Sequence, residues 1–283
     1  MTTFLQLVVS GLSVGSGYAL VGIGLVLVFR TTNALNFAQG TYAVLAGLTT
    51  ASLVHHMPTP VAALLSILLV TAVGLAMGFA TLSRGGETAP LISLIVTLGL
   101  SLVARAVELL VFGDAPRTFE AISAHAWDLR GVLVQPQYVL IFGVTVLVTA
   151  ALSLLLRRTV LGNALVACSD SHRAARIIGL DTRTLGAVAF SLAALLGAVA
   201  GVLATPIVPV TYDSDISIAV NGFAAAAFGG LVSIPLTLAG GLVLGIAENL
   251  VVGYVNPQYE LAIALVIMLV LIGWRSRREI LAT

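Results

Sequence analysis

Five charged or ionisable residues interrupt an otherwise apolar chain near its middle: Asp170, His172, Arg173, Arg176 and Asp181, in "ALVACSDSHRAARIIGLDT" (164–182). Their types suit contact rather than catalysis, since guanidinium and carboxylate groups form charge-assisted and often bidentate hydrogen bonds with complementary groups on another surface. On a helix over 163–178, Ser169, His172, Arg173 and Arg176 follow i, i+3, i+4, i+7 and share one face. Ala164, Ala167, Ala174, Ala175 and Ile178 gather toward the other. Gly179 is a natural C′ stop, and Asp181 can cap the next helix. Small residues on one face and cations on the other suit docking into a groove of another protein. The alternative is a solvated connector between two apolar segments. A face made mostly of alanine is a poor membrane anchor.

Polar residues inside apolar runs are the next candidates, because in lipid they mark either a solute path or a packing hydrogen bond. Asn33, Asn36 and Gln39 cluster in "RTTNALNFAQG" (30–40), either capping a helix start or pointing that start at a path. Asn221, in "VNGFAAAAFGGLVSIP", is a cap or a lumen-facing amide, and short Gly/Pro-interrupted segments of this kind often hold transporter sites. Glu248 with Asn249 is a packing pair or part of the same path. Arg105 and Glu108 are i, i+3 neighbours that can pair with each other and snorkel. His55 and His56 are adjacent before "MPTP", which favours a solvated turn over a metal site. No catalytic constellation stands out, and no metal set is assigned. A chain without lysine cannot build a G-x-x-x-x-G-K-[ST] phosphate loop. The single Cys168 excludes an intrachain disulfide.

The elements that position these groups are membrane spans. Of 283 residues, 59% are hydrophobic and 9% charged, with a mean hydropathy of +1.11. A soluble domain carries about 25% charged residues, so this chain is an integral membrane protein. No basic run of the nucleic-acid-binding kind is present. Candidate spans are 4–29, 36–54, 60–82, 90–112, 137–156, 185–208 and 259–274. The N-terminal "MTTFLQLVVSGLSVG" has no charge before Arg30 and reads as the start of a retained span. Residues 217–254 are too long for one span and break at "GGLVSIP" (229–235), which reads as an interrupted hairpin. The fold class is therefore an all-α, polytopic helical bundle of about 8–9 transmembrane segments in a single domain, 1–283.

With the loop 157–184 inside, ten of the thirteen arginines fall on the cytoplasmic side: Arg30, Arg84, Arg157, Arg158, Arg173, Arg176, Arg183, Arg275, Arg277 and Arg278. Arg117 and Arg130 fall outside, the N-terminus is outside and the C-terminus cytoplasmic. Trp127, in the outer loop 113–136, suits an interfacial anchor. GxxxG spacings at Gly11/Gly15, Gly74/Gly78, Gly197/Gly201 and Gly241/Gly245 imply close helix packing.

Along residues 4 to 274 the chain resembles permease subunits of ABC importers of the branched-chain amino acid type, the LivH/LivM family. "LGNALVACSDSHRAARIIGLDT" is similar to the cytoplasmic loop of that family, with Gly162, Ala164, Ala167, Asp170, Ala174, Gly179, Leu180 and Asp181 matching its pattern. "GLSVGSGYALVGIGLVLVFRTTNALNFAQG", "AVAGVLATP" and "NGFAAAAFGGLVSIPLTLAGGLVLGIAENL" resemble its first span and its late glycine-rich region. The ending "IGWRSRREILAT" departs from it.

The resemblance implies a bacterial inner-membrane permease, with no cofactor of its own. ATP and Mg²⁺ would sit on two ATP-binding partner chains. A second permease subunit and a soluble substrate-binding protein would complete the importer within the lipid bilayer. It implies that Ala167, Asp170, Arg173, Ala174, Arg176, Gly179 and Asp181 belong to an ATPase-coupling helix, and it is compatible with a weak path near Asn36, Gln39, Asn221, Glu248 and Asn249. Other small solutes (urea, an amide, a sugar) and an ion-coupled carrier working alone are the alternatives.

Overall fold

Long apolar runs with no aqueous partner for their backbone leave the helix as the satisfied conformation. A computed structural model describes residues 2–82, 90–123, 126–129, 132–256, 262, 264–266 and 268–270. Among them, six helices are long and apolar enough to cross a bilayer: α1 (Thr2–Thr32), α3 (Thr59–Thr81), α4 (Pro90–Phe112), α5 (Pro136–Arg158), α8 (Thr182–Ala204) and α10 (Ile234–Tyr254). Between them lie α2 (Gln39–Leu53), α6 (Val160–Asp170), α7 (His172–Ile177) and α9 (Asp215–Phe228). Residues 262, 264–266 and 268–270 are helical as well, and Ala264 is buried against Ala224 and Leu244. Most of the expected span 259–274 lies outside the described residues, as do Arg84, His125, Arg130, Arg275, Arg277, Arg278 and the divergent C-terminal tail.

Among the described residues the bundle is all-α apart from a two-stranded ribbon in the loop before α5, where β1 (Trp127–Leu129) pairs antiparallel with β2 (Val132–Val134). Trp127 is exposed on it. His55 and His56 are exposed in the turn after α2.

Several element boundaries differ from expectation, each for a local reason. The second segment begins at Gln39 rather than 36. Asn33 takes a left-handed φ of 53° that ends α1, and the side-chain Oδ1 of Asn36 accepts the Ala38 N–H at 3.1 Å, which replaces a helical bond. The span expected at 185–208 runs from Thr182, capped by the Asp181 carboxylate through the N–H groups of Arg183 and Thr184, to Ala204, two residues before Pro206.

The helix expected over 163–178 is two helices. Ser171 is extended (φ −160°, ψ 110°), and its hydroxyl accepts the Ala174 N–H, so it ends α6 and caps α7. The common face proposed for Ser169, His172, Arg173 and Arg176 is thereby broken. The turn after α7 is the expected glycine stop: Gly179 has φ +87°, the Leu180 N–H reaches the Ala175 carbonyl, and the Gly179 N–H reaches that of Arg176.

The interrupted hairpin is present: α9 ends at Phe228, Gly230 and Leu231 take left-handed φ values of 62° and 59°, and the Ser233 hydroxyl caps α10 ahead of Pro235. At 14 residues α9 is about 21 Å long, short of a full hydrocarbon core.

Small residues set the helix spacing. Gly11 and Gly15 of α1 lie against Gly241, Gly245 and Ile246 of α10. Gly74 and Gly78 of α3 lie against Ala187, Phe190 and Ala194 of α8, and Gly197 and Gly201 of α8 against Gln39, Tyr42 and Ala43 of α2. All four GxxxG pairs are thus used for backbone approach. They place α1 and α8 at the centre, while α3, α4 and α5 turn Leu, Ile and Val outward.

Candidate functional site

Four helices leave a gap where their small residues give way to polar ones. The cavity, about 330 Å³, lies among α1, α8, α9 and α10, with the loop 205–214, Ala43 of α2 and Ile141 of α5 completing its wall. Its polar groups are Ser13 and Tyr18 from α1, Thr205 and Ser214 from the loop between α8 and α9, Ser217 and Asn221 from α9, and Glu248 and Asn249 from α10. Valines and isoleucines cover much of the rest. Asn221 is 2% exposed, and its Oδ1 has no hydrogen-bond partner among the described residues; the Ser13 hydroxyl is in the same state. Glu248 is the one charged residue among the described lining residues. Asn249 is committed: its Oδ1 accepts from the Ser10 hydroxyl at 3.1 Å, and its Nδ2 donates to the Gly245 carbonyl at 3.2 Å.

Asn221, Glu248 and Asn249 therefore line one cavity. The cap reading of Asn221 is overturned, because the residue sits mid-helix in α9. Asn36 and Gln39 are not brought in. Gln39 is fully buried between α2 and α8, where its Nε2 donates to the Ala193 carbonyl at 2.8 Å, and Asn36 folds back onto Ala38 and Gln39. Both serve packing.

The two ends of the bundle are chemically distinct. At one end, Arg30 donates to the Ser169 hydroxyl at 3.4 Å, and Arg183 donates to the Leu82 and Phe79 carbonyls at 3.0 and 2.9 Å. The same end holds α6 and α7. Leu165 of α6 is buried with Leu27 of α1 and with Ile234, the first residue of α10. The polar helix pair thus packs mainly on α1 and α5, close to the start of α10, and the cavity opens among the other ends of α1 and α10.

On the outer side of that pair Asp170, Arg173, Ala174 and Arg176 are exposed, Ala167 is half-buried, and Ala175 is buried. Ile177 and Ile178 are 79% and 72% exposed, so the surface there carries two large apolar side chains rather than alanine alone. Asp181 sits beside them, and the Thr184 hydroxyl, followed by the backbone N–H groups, holds its carboxyl below the ordinary aspartate range. Burial pushes the Cys168 thiol up, so it is no reactive thiolate.

At the opposite end, Arg105 does not pair with Glu108. Its guanidinium donates to the Asp215 carboxylate at 2.5 Å and to the Asp213 carbonyl at 3.3 Å, tying α4 to the first turn of α9. Asp215 also suits the positive end of that helix. Glu108 is fully buried, and neither of its carboxyl oxygens has a hydrogen-bond partner among the described residues. Arg117 donates to Ser52 and to the Phe112 carbonyl nearby. Sequence reasoning missed the inward polar stripe of α4: Ser93, Thr97, Ser101, Arg105 and Glu108, spaced four, four, four and three apart. Ser93, Thr97, Ser101 and Glu108 are all buried. The spacing itself was the available signal. Among the described residues no group of three or more His, Cys, Asp or Glu converges for a metal.

Residues 7–272 match the sequence profile of a family described as "Branched-chain amino acid transport system / permease component". The chain belongs to this family. As a family member it is a multi-pass membrane permease, a transport component. It is 29% identical to the high-affinity branched-chain amino acid transport system permease protein BraD of Pseudomonas aeruginosa, over 96% of this chain and 94% of that one. It is 28% identical to the corresponding LivH of Escherichia coli, over 95% and 93%. The ribose import permease protein RbsC of E. coli is also similar, at 27% identity over 92% and 83%. A solved structure, PsaBC from Streptococcus pneumoniae in complex with Fab, is similar in fold, with a TM-score of 0.51 at 13% identity, covering 96% of this chain and 91% of that one.

Proposed function

We propose that this permease is one membrane subunit of an ATP-driven importer, and that it passes branched-chain or related amino acids handed over by an external binding protein. The observation that carries the reading is the buried cluster shared by Leu165 of α6, Leu27 of α1 and Ile234 at the start of α10, with the far halves of α1 and α10 lining the cavity. In this reading α6 and α7 are the coupling element on the cytoplasmic face of a bacterial inner membrane. Two ATP-binding partners, which carry ATP and Mg²⁺, dock against Asp170, Arg173, Arg176 and the exposed Ile177 and Ile178. A second permease subunit faces this one. The N-terminus is outside and the C-terminus cytoplasmic. The docked ATPases drive transport only by binding the two permease states with different affinity.

Purification from native membranes followed by mass spectrometry tests the assembly, with two ATPases, a second permease and a binding protein expected. A chain that isolates alone, and transports in liposomes without ATP, overturns it. Uptake of labelled leucine against labelled ribose by the reconstituted complex tests the substrate class, and ribose uptake alone overturns the amino-acid reading. The variant Arg176→Glu is expected to leave ATP hydrolysis in place and to lower uptake at least about tenfold, since it reverses a charge at the docking face. Unchanged uptake removes α7 from the coupling role.

A further inference from the structure

Most glycines in the spans of this bundle are explained by a neighbour that passes too close for a side chain. Gly201 lines the cavity and is of this kind, since a Cβ there would run into the backbone of Ala43. Gly15 and Gly22 of α1 are likewise pressed against Gly241 and Gly222. Gly17 lies between them on the same helix and is different. Beyond the local α1 backbone, a Cβ built there meets nothing within 4 Å, and Gly17 lines the cavity. Its neighbours at i−4 and i+4, Ser13 and Val21, line the cavity as well, so a side chain at 17 would stand in the same row and enter the same space. Gly99 of α4 and Gly143 of α5 are also uncrowded, but both are exposed on faces that turn outward. Glycine is a poorer helix former than alanine, so neither local structure nor packing accounts for the residue at 17. What its missing side chain does is leave the cavity open. At about 330 Å³ the cavity stands at the lower end of the range for small-molecule sites, so one added side chain changes what fits.

We infer that Gly17 sets the upper size of the solute that this cavity passes, the room left by its absent side chain being taken by the solute's own aliphatic group. The inference rests on the amino-acid reading above and adds to it the position that limits side-chain length. A methyl group at 17 shortens the space by about one carbon, and a leucine side chain there fills it. The selection is steric, by exclusion of the larger of two otherwise similar solutes. The fold itself does not depend on the absence of a side chain at 17, because no neighbouring element lies where one would go. That separates Gly17 from Gly15 and Gly201, whose enlargement would push helices apart.

The test uses the complete importer, in nanodiscs for labelling and in proteoliposomes for uptake. Position 17 is first probed without reference to any solute. Gly17→Cys is treated with a charged, water-soluble methanethiosulfonate, and the wild type, whose one cysteine, Cys168, is buried, gives the background. Gly17→Cys is expected to label at least about tenfold faster than Gly99→Cys on the outward face of α4, because a thiol reacts as its thiolate and needs water to ionise. Equal rates place residue 17 in lipid or packed protein and overturn the inference. Uptake of labelled valine and leucine by the wild-type complex, each at saturating loaded binding protein, checks the amino-acid reading by itself. Gly17→Ala is expected to keep a thermal midpoint at or above that of the wild type. Its ratio of valine to leucine uptake is expected to rise about tenfold, the low end of what one methylene decides in a filled apolar pocket. Gly17→Leu is expected to lower the uptake of both at least about tenfold. An unchanged ratio or a lowered midpoint in Gly17→Ala, or wild-type uptake by Gly17→Leu, overturns the inference while leaving wild-type transport intact. If the wild type takes up neither amino acid, the amino-acid reading falls, and the labelling contrast still decides whether position 17 opens into the cavity. If Gly17→Leu fails to assemble, the labelling and Gly17→Ala decide.

Discussion

Asp181 shows how much a single side chain contributes at the start of a span. Its carboxylate accepts from the Arg183 and Thr184 N–H groups and from the Thr184 hydroxyl, which satisfies orphan donors of α8 and holds the carboxyl below its ordinary range. A group with a lowered folded-state value adds stability above the ordinary aspartate range and loses it as pH falls through the lowered value. Asp181→Ala is therefore expected to cost about 1 kcal/mol at neutral pH. The difference from wild type in thermal midpoint should persist at about pH 5 and shrink only on stronger acidification. A constant difference across that range would mean that the carboxylate charge is not what caps the helix. This cap was legible because Asp, Gly and a following apolar run are local signals. Polarity inside a span was less informative. It named Asn221 and Glu248, which reach the cavity, and also Asn36 and Gln39, which do not, because a buried amide bonds to whatever backbone the fold brings near it, here the Ala193 carbonyl 154 residues away.

At the scale of elements, the break at Ser171 and the clasp between α4 and α9 were the features hardest to read in advance. The arginine-to-glutamate spacing in α4 suggested a pair within one helix, yet Arg105 reaches Asp215 instead, 110 residues on. Sequence spacing reports which groups can meet on one helix; it carries no record of the competing partner that tertiary packing supplies. The clasp has a cost that can be measured. Arg105→Ala removes a charged hydrogen bond to a carboxylate that is itself largely buried, so a loss of about 2 kcal/mol is expected, seen as a lower thermal midpoint of the purified protein. Asp215→Asn, which keeps the shape but not the charge, should cost less. A neutral Arg105→Ala would show the pair to be a surface contact without weight. The division of 160–177 into two helices follows from Ser171, whose hydroxyl competes for the backbone as serine does at caps; the Ser-Asp-Ser run at 169–171 was the visible hint.

For the whole molecule, the fold class, the interrupted hairpin and the arginine-rich end follow from composition and spacing, since each is a bulk property of many residues. Which helix touches which was written only in the glycine pairs, and those do not say how they match. The matching has a consequence for stability. A side chain at Gly15 would run into the Gly241–Leu242 backbone, whereas one at Gly99 in α4 meets nothing within 4 Å. Gly15→Leu is expected to prevent a stable bundle, and Gly99→Ala to be neutral or to stabilise by up to about 1 kcal/mol through helix propensity. Both are checked by thermal unfolding, and a stable Gly15→Leu protein would mean that α1 and α10 do not cross there.

That crossing makes α1 and α10 a single stiff rod along several turns, with no soft joint between the end near α6 and the end that walls the cavity. Ile234 and Glu248 are 14 residues apart on one continuous helix, about 21 Å along its axis. A tilt of about 5° at the Ile234 end therefore displaces Glu248 by nearly 2 Å, by the helix rise alone. Such a displacement is comparable to the difference between a made and a broken hydrogen bond, so a small rocking of this rod is enough to reshape the cavity wall at Glu248.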